Sequence, residues 1–303
     1  MNIAITGASG FIGTNLINSF KPIGNINLIL IQRKINTLIE IDQFTYEQYF
    51  NLNQIPHKID IFIHLASPNF DNERNNELRD GIIGLSKKIL KTLPKYNCRK
   101  FIFFSSAKVY GESSSKNIVF SEEDILHPIS DYAKSKAKAE ENIIEISQNL
   151  DINFLIYRLP FVYGAGMRSN LSLITRLIDK SLPMMIFDED TNLKKSFLSI
   201  ENIKKALLRN INEPSSVNNE ILNISDERPL SLSKFIYLYK KNKRSKSILI
   251  KFNKIFLKLF LNIPIVKKMI IKIFGNFQID NKKIKSILKD DIISTEEGIK
   301  YLL

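Results

Sequence analysis

The sequence is poor in the residues that build disulfides, metal sites and membrane spans. Its 303 residues include one cysteine, three histidines and no tryptophan. The single Cys98 excludes an intramolecular disulfide, and histidines scattered at 57, 64 and 127 predict no metal site. No run of about 18 uncharged apolar residues occurs, so no membrane-spanning segment is predicted. The first residues lack the basic start and cleavage site of a signal peptide, so we expect a cytoplasmic protein.

The remaining composition is that of an ordinary globular protein with excess positive charge. Hydrophobic residues make up 44% and charged residues 25%, and the formal net charge is +13. This length suffices for one large α/β domain and a smaller subdomain. The lysines are spread through the chain without an aromatic-interleaved basic patch, so we expect no nucleic-acid partner. A small ligand that carries several phosphate groups explains the excess positive charge better than nucleic acid does.

The N-terminal residues predict a dinucleotide-binding turn. A short apolar run over 2–6 precedes Gly7, Gly10 and Gly13, and a helical pattern follows through Phe20. In this arrangement the first glycine permits a tight turn, the second lets a pyrophosphate approach the backbone, and the third lets helix pack closely on strand. The turn residues predicted to bind the dinucleotide are Gly7, Gly10, Phe11, Ile12 and Gly13.

Two further strand ends are expected at the cofactor. Arg33 follows the strand predicted over 26–31, where an acidic residue selects NAD and a basic one pairs with the 2′-phosphate of NADP. Arg33 therefore favours NADP(H), with NAD as the alternative and a solvated basic turn as the plainer interpretation. A buried strand over 59–64 ends in His64, which is expected to be a core histidine. The residues after it, Leu65, Ala66 and Ser67, are assigned to cofactor binding.

Strands and helices alternate through the first half of the chain. Helices are predicted over 71–93 and up to residue 150, and apolar strands over 99–104 and 152–157. This alternation predicts an α/β fold with a Rossmann-type doubly wound parallel sheet. Beyond residue 164 strands and helices no longer alternate regularly. We expect a smaller, mostly helical C-terminal subdomain that binds the substrate. The predicted bounds are 1–164, joined by 194–224, for the dinucleotide domain, and 165–193 with 225–303 for the substrate subdomain.

Tyr132 and Lys136 lie four residues apart in a helical pattern, so their side chains project from one face. A lysine at this distance can lower the pKa of the phenol and make it a proton donor or acceptor. The spacing alone identifies nothing, because tyrosines 96, 237 and 239 are also followed by a lysine four residues later. Tyr132 differs from them in its context, with Ser106 at a strand end 26 residues earlier and the glycine turn at the N-terminus.

Together these motifs resemble the extended short-chain dehydrogenase/reductases, the NAD-dependent epimerase/dehydratase family. The matching segments are TGASGFIG at 6–13, SSAKVYG at 105–111, YAKSK at 132–136 and RLPFVYG at 158–164. The resemblance implies that Tyr132 exchanges a proton with the substrate oxygen and that Ser106 hydrogen-bonds the same oxygen. It also implies that Lys136 holds the nicotinamide ribose and depresses the phenol pKa. Homodimers are common in the family, so a homodimer is expected.

Departures from the family pattern reduce the number of reactions expected of this chain. The related 4,6-dehydratases carry an Asp-Glu pair where this chain has Ala107 and Lys108, so elimination of water lacks its acid and base. The 4-epimerases usually carry an acidic residue at the position of Arg33 and an asparagine at that of Phe161. The chain looks most like bacterial reductases of UDP-4-keto-6-deoxy-N-acetylhexosamine, which make precursors of surface polysaccharide such as O-antigen. We therefore expect NADPH-dependent C4 reduction; the alternatives are an NAD-dependent 4-epimerase and a non-catalytic dinucleotide-binding protein.

Two positions depart from the family at the substrate. Gly81 stands where an asparagine is common, which puts a proton relay through it in doubt. Lys195 stands where many relatives have an arginine that grips the diphosphate, and lysine keeps the charge without the bidentate fork. The residues predicted to contact a UDP-sugar are Lys108, Arg168, Asn170, Arg176 and Lys195.

Residues 243–275 combine many isoleucines, leucines and phenylalanines with lysines. Lys251, Lys254 and Lys258 are expected on one face of a helix, and Pro264 is expected to divide the run in two. Two interpretations stay open. The helices pack on the subdomain with their lysines outward, or they make peripheral contact with a membrane, at its inner face.

Overall fold

The structure, a computed structural model, describes residues 1–36, 38, 40–51, 58–68, 80–114, 116, 118–168, 170–188, 193–214, 217–289 and 291–302. The strands are β1 (Asn2–Thr6), β2 (Asn27–Gln32), β3 (Asp42–Thr45), β4 (Ile61–His64), β5 (Lys100–Ser106), β6 (Val119–Phe120), β7 (Asn153–Leu159), β8 (Phe161–Tyr163), β9 (Met184–Phe187), β10 (Phe197–Ser199), β11 (Glu220–Asn223), β12 (Leu249–Phe252) and β13 (Gln278–Ile279).

Helices of several types connect these strands. The α-helices are Phe11–Phe20, Tyr46–Phe50, Leu85–Thr92, Asp131–Leu150, Asn170–Asp179, Ile200–Asn212, Leu232–Lys243, Lys254–Leu261, Pro264–Phe274, Lys282–Leu288 and Thr295–Gly298. A π-helical turn covers Asp80–Gly84, and 3₁₀ turns cover Leu93–Tyr96, Ala107–Tyr110 and Ile299–Leu302. The first nine residues of the helix predicted over 71–93 lie outside the described residues.

A seven-stranded sheet in the order β11-β7-β5-β4-β1-β2-β3 organises the described residues. The pairs β1–β2, β1–β4, β2–β3 and β4–β5 are parallel. β1 and β2 are almost entirely buried apolar runs, as expected for strands covered on both faces. The strand order reverses between β1 and β4, and such a switch point opens a crevice at the carboxyl ends of the strands. The predicted Rossmann-type parallel sheet is confirmed.

The chain divides into two compact units. Unit 1 comprises Met1–Val109, Leu126–Arg158 and Leu207–Leu222, and unit 2 comprises Tyr110–Ile125, Leu159–Ala206 and Asn223–Leu303. The domain bounds expected from the sequence stay a prediction.

The core of unit 1 contains Tyr96, one of the tyrosines that share the spacing of Tyr132. Its ring stacks on that of Tyr49 with centroids 5.1 Å apart, and its hydroxyl donates to the Tyr49 carbonyl at 2.5 Å. Lys100, four residues later, is the first residue of β5 rather than part of a helix. The Tyr96 and Lys100 side chains therefore do not share a helix face.

Three short parallel strand pairs and several helices form unit 2. β8 pairs with β10, β9 with β12, and β6 with β13. The lysine predictions for residues 243–275 need one correction, because Lys251 lies in β12 and the first helix begins only at Lys254. Pro264 does divide the segment, as predicted, and it occupies the first turn of the second helix, where proline is tolerated. In the described part of the chain, none of the helices has the length and apolarity needed to cross a bilayer.

A buried carboxylate, Asp226, ties the elements of unit 2 together. It accepts hydrogen bonds from the Tyr163 hydroxyl and the Thr295 hydroxyl, each at 2.8 Å, and from the backbone N–H of Ser199 at 2.7 Å. The Asn202 amide donates a further bond at 2.8 Å. Burial raises the pKa of Asp226 to about 6, and the four donors oppose that rise without cancelling it.

We expect the raised pKa of Asp226 to make its contribution to stability depend on pH. The folded state holds the proton more tightly than an unfolded aspartate of pKa 3.8. The stability from this group is therefore full below about pH 4 and is lost as the pH rises through about 6. In urea unfolding, wild type should lose free energy of unfolding relative to Asp226→Asn between pH 4 and pH 7. The exposed Asp151→Asn serves as control; a constant wild-type-to-Asp226→Asn difference contradicts the prediction.

Candidate active site

The turn after β1 requires glycine because of its backbone conformation and its close contacts with neighbouring residues. Gly7 has φ +74°, and a Cβ there would lie 2.7 Å from the Ala66 nitrogen, so both the left-handed conformation and the close approach need glycine. A Cβ on Gly13 would lie 2.3 Å from the Gly7 carbonyl oxygen and 2.9 Å from the Ala8 Cα. Gly13 therefore lets the helix pack on the turn itself, whereas the sequence had predicted packing on the strand.

Gly10 leaves space for a ligand at the start of helix Phe11–Phe20. A Cβ on Gly10 would meet only the Gly7 carbonyl oxygen, at 3.2 Å. Gly10 is the N-cap of this helix and supplies no side-chain cap to its first-turn amides. The backbone N–H groups of a helix's first turn have no intrahelical acceptor and favour an anion. The residues of the turn therefore fit the pyrophosphate of a dinucleotide.

The residues after β4 come directly against this turn. The Leu65 N–H donates to the Thr6 carbonyl and the Ala66 N–H to the Thr6 hydroxyl, each at 3.3 Å. The hydroxyl of Ser67 is buried and has no hydrogen-bond partner among the described residues. A buried hydroxyl without a partner is costly, so a ligand group that completes its hydrogen bonding fits this position.

Arg33 directly follows β2 and is exposed. β2 runs parallel to β1, so Arg33 and the glycine turn follow the same edge of the sheet. Burial raises the pKa of the Tyr46 phenol to about 12, and the positive charge of Arg33 opposes this rise. An exposed cation at this edge is available to an anionic ligand.

Ser106, Tyr132 and Lys136 come together, as predicted. Ser106 is the last residue of β5, and Tyr132 and Lys136 lie in the first turns of helix Asp131–Leu150. The Ser130 hydroxyl caps this helix by accepting from the Ala133 N–H at 3.3 Å. The Ser106 hydroxyl lies close enough to the Tyr132 phenol to lower its pKa in part.

Lys136 is 2% exposed and lies among aromatic rings and backbone. Its ammonium donates to the Phe104 carbonyl at 2.7 Å and lies 4.5 Å from the centroid of the Phe103 ring and 5.8 Å from that of Tyr132. Burial lowers the pKa of Lys136 to about 7, and the Glu140 carboxylate opposes this change. Lys136 therefore titrates near neutral pH.

The structure corrects the expected effect on the Tyr132 phenol. Burial raises its pKa above the ordinary value, and the neighbouring hydroxyls of Ser67 and Ser106 lower it only in part. Lys136 directs its ammonium to the Phe104 carbonyl and is not among the groups that lower this pKa. The phenol therefore keeps its proton at neutral pH, which suits a proton donor.

His64 is a core residue at the end of β4. Its Nδ1 lies 2.6 Å from the Thr6 hydroxyl, and its ring stacks on Phe103 with centroids 5.7 Å apart. Burial, with a smaller effect from the Lys136 charge, lowers the pKa of His64 to about 3. The imidazole is therefore neutral across the physiological range.

The sequence interpretation missed a buried ion pair behind these residues. Glu140 is 2% exposed and accepts from the Arg158 Nη2 at 2.6 Å and from its Nε at 3.1 and 3.2 Å. Ser105, the neighbour of Ser106, also donates to Glu140. The position of Glu140 could have been recognised from its spacing, because it lies four residues after Lys136 and eight after Tyr132 on the same helix face.

The predicted substrate residues are distributed over both units. Lys108 follows Ser106 and donates its backbone N–H to the Ser106 hydroxyl at 3.3 Å. Lys195, in unit 2, is buried; its ammonium donates to the Ser113 hydroxyl at 2.8 Å and lies 4.9 Å from the Phe161 ring centroid. Arg168 and Arg176 are exposed residues of unit 2, and Asn170 begins helix Asn170–Asp179. Their contacts with a substrate stay a prediction.

Gly81 lies in the π-helical turn, where a Cβ would come 2.4 Å from the Pro68 ring. An asparagine here would displace that proline, so the chain lacks room for the side-chain relay common in the family.

The remaining tyrosines that share the Tyr132 spacing lie on helix Leu232–Lys243 in unit 2. Tyr237 is exposed there, and Tyr239 donates to the Asp179 carboxylate at 3.0 Å.

Known proteins resemble this chain over most of its length. The sequence profile described as the NAD dependent epimerase/dehydratase family matches residues 3–225. A UDP-glucose 4-epimerase of Vibrio cholerae is 26% identical in an alignment 250 residues long that covers 78% of this chain and 74% of that protein. A dTDP-4-dehydro-6-deoxyglucose reductase of Escherichia coli is 27% identical in an alignment 268 residues long that covers 80% of this chain and 83% of that protein.

A solved structure supports the fold. The UDP-glucuronic acid 4-epimerase of Bacillus cereus, crystallised in complex with NAD, aligns with a TM-score of 0.77 at 21% sequence identity. The alignment covers 100% of this chain and 97% of that one.

We expect Glu140→Gln to destabilise the protein by about 3–5 kcal/mol, because it leaves the Arg158 guanidinium buried without a counter-charge. Urea unfolding followed by circular dichroism measures the loss. The neighbouring Glu141→Gln is the matched control; Glu141 is exposed and pairs with Lys138, so it should change the free energy by less than about 1 kcal/mol. The double variant Glu140→Leu/Arg158→Met should recover much of the loss. Equal effects of Glu140→Gln and Glu141→Gln would contradict this account.

Proposed function

Because the chain belongs to the NAD-dependent epimerase/dehydratase family, we propose that it is an NADPH-dependent reductase of a nucleotide sugar. The ketone reduced is the C4 carbonyl of a UDP-linked 6-deoxy-N-acetylhexosamine, and the product is a precursor of surface polysaccharide such as O-antigen or capsule. The chain is an enzyme of the extended short-chain dehydrogenase/reductase type, whose relatives act on nucleotide sugars as epimerases, dehydratases and reductases.

The grouping of Ser106, Tyr132 and Lys136, together with the exposed Arg33 at the cofactor edge of the sheet, carries the proposal. Reduction of a ketone needs a proton donor beside the carbonyl oxygen and consumes its cofactor, and a basic residue at the position of Arg33 suits NADPH. The half-buried Tyr132 phenol has a raised pKa, so at neutral pH it can be that donor. A reductase among the relatives, named for a 4-dehydro-6-deoxy sugar, supports the same chemistry.

The residues divide the work of the reduction. When bound, a reduced nicotinamide would supply the hydride that adds to the carbonyl carbon. Tyr132 gives its proton to the carbonyl oxygen, which becomes the alcohol, and Ser106 orients that oxygen by hydrogen bonding. Burial lowers the pKa of Lys136 to about 7, so the charged form is present at and below neutral pH. In that form the ammonium stabilises the phenolate that remains. Ser67 completes its hydrogen bonding with the bound ligands.

The residues after Ser106 disfavour dehydration. Ala107 is buried and Lys108 is basic, so neither can serve as the carboxylic acid or carboxylate that removes water. The relatives that are 4-epimerases favour the alternative of an NAD-dependent epimerase. Cofactor consumption separates the two activities, because an epimerase regenerates its cofactor in every turnover.

We expect the protein to oxidise NADPH stoichiometrically when it is given a UDP-4-keto-6-deoxy-N-acetylhexosamine. Tyr132→Phe removes the proton donor and should lower kcat by roughly 10²–10⁴-fold. Tyr237→Phe, an exposed tyrosine with the same spacing to a lysine, should leave kcat unchanged. Absorbance at the NADPH band gives the rate, and chromatography identifies the sugar. Interconversion of UDP-sugars without net loss of NADPH would overturn the reductase in favour of the epimerase.

Arg33→Asp should shift cofactor preference from NADPH toward NADH. Loss of a charge-assisted contact with the 2′-phosphate corresponds to roughly 10–100-fold weaker NADPH binding. Fluorescence titration of both cofactors measures the ratio of Kd values. The adjacent exposed Lys34→Asp matches the change in charge and should alter the ratio much less. If the two variants change the ratio equally, Arg33 does not select the cofactor.

A further inference from the structure

The positive charge of the chain is concentrated in one segment. Residues 228–279 contain 13 of the 44 lysines and arginines and no aspartate or glutamate. The rest of the chain holds 31 basic and 31 acidic residues, so this segment carries the whole formal net charge of +13. Lysines occur throughout the chain, as expected, but in this segment no acidic residue balances them. Such a concentration creates a positive potential that attracts an anionic surface.

Helix Pro264–Phe274 carries two apolar stripes instead of one. Ile270 and Phe274 are buried, while Ile265, Met269 and Ile273, spaced four residues apart, are exposed, Ile265 by 85%. A surface helix normally turns its single apolar stripe inward. Helix Lys254–Leu261 repeats this pattern, since it buries Leu257 and exposes Ile255, Phe256 and Leu259. We call the exposed apolar side chains of residues 248–273 the outer face: Ile248, Ile250, Ile255, Phe256, Leu259, Ile263, Ile265, Met269 and Ile273.

The inner side of the two helices is anchored to unit 2. β12, just before them, pairs with β9, and the Phe274 ring packs edge-on against Phe187 of β9 with centroids 5.0 Å apart. The Phe252 ring of β12 contacts the rings of Phe256 and Phe260, each at 5.6 Å. The aromatic contacts hold the helices in place, so the outer face is a defined surface of the folded protein.

Exposed lysines interleave with the outer face, among them Lys258, Lys267, Lys268 and Lys272. A second copy of the chain seated symmetrically on this face would bring the same lysines together and repel. Nucleic acid would satisfy the charge but offers no apolar surface to the isoleucines. Anionic lipid satisfies both, because acyl chains take the apolar side chains and headgroups take the ammonium groups at the ends of long apolar stems.

We propose that the outer face docks the enzyme on an anionic membrane surface, with the two helices lying in the interface. The inference goes beyond the proposed reaction and does not depend on it, because it rests on the charge and exposure of residues 228–279 alone.

Vesicle sedimentation of the intact protein tests the proposal. We expect binding to phosphatidylglycerol/phosphatidylcholine vesicles at about 0.15 M salt and little binding to phosphatidylcholine alone. Lys267→Gln/Lys268→Gln/Lys272→Gln should weaken binding roughly fivefold per lysine, on the order of 100-fold in total. Ile265→Ser/Met269→Ser should weaken it by about tenfold per side chain. The exposed controls Lys21→Gln/Lys91→Gln/Lys95→Gln and Ile125→Ser should bind as wild type.

Several results would overturn the membrane assignment. The first is absence of binding to anionic vesicles, and the second is wild-type binding by Ile265→Ser/Met269→Ser, which would mean that charge acts alone. Analytical ultracentrifugation adds a third: a wild-type dimer that this double variant converts to monomer would make the outer face an interface between copies. All substituted positions are exposed, so thermal unfolding by circular dichroism should match wild type and exclude misfolding as the cause.

Discussion

The buried ion pair of Glu140 and Arg158 is the interaction on which the candidate site depends. It joins helix Asp131–Leu150 to the end of β7, and Ser105 adds the end of β5 to the same carboxylate. Ser106 follows Ser105 directly, and Lys136 precedes Glu140 by one helical turn. The pair therefore sets where the serine stands relative to the tyrosine and the lysine, and a displacement of about 1 Å among such groups is costly to catalysis.

Burial has a second effect on the same residues, because it disfavours charge. It raises the pKa of Tyr132 and lowers that of Lys136 to about 7, so both groups shift toward their neutral forms. Glu140 opposes the shift at Lys136, and so the ion pair that positions the lysine also favours its charged form. A phenol that keeps its proton at neutral pH is suited to proton donation.

Unit 2 contains charged residues of two kinds, some buried in its interior and some exposed on its surface. Asp226 is buried and fully engaged with donors from four residues, so it serves the fold. Lys195 is likewise held inside, by Ser113 and the Phe161 ring. The lysines of residues 243–275 instead lie beside exposed apolar side chains such as Ile265 and Met269. This combination of charge and exposed apolar surface is the basis of the proposed docking on a lipid surface.

The amino-acid sequence by itself determined the parallel sheet, the glycine turn and the grouping of Ser106, Tyr132 and Lys136, because these follow from local periodicity and from motifs whose spacing is read along one chain. It also marked Pro264 as the division between two helices. Only the tertiary structure decided the direction of the Tyr132 pKa, the strand position of Lys251 and the pairing of Glu140 with Arg158. Each of these depends on burial or on contacts between residues distant in sequence, and neither is encoded in local spacing.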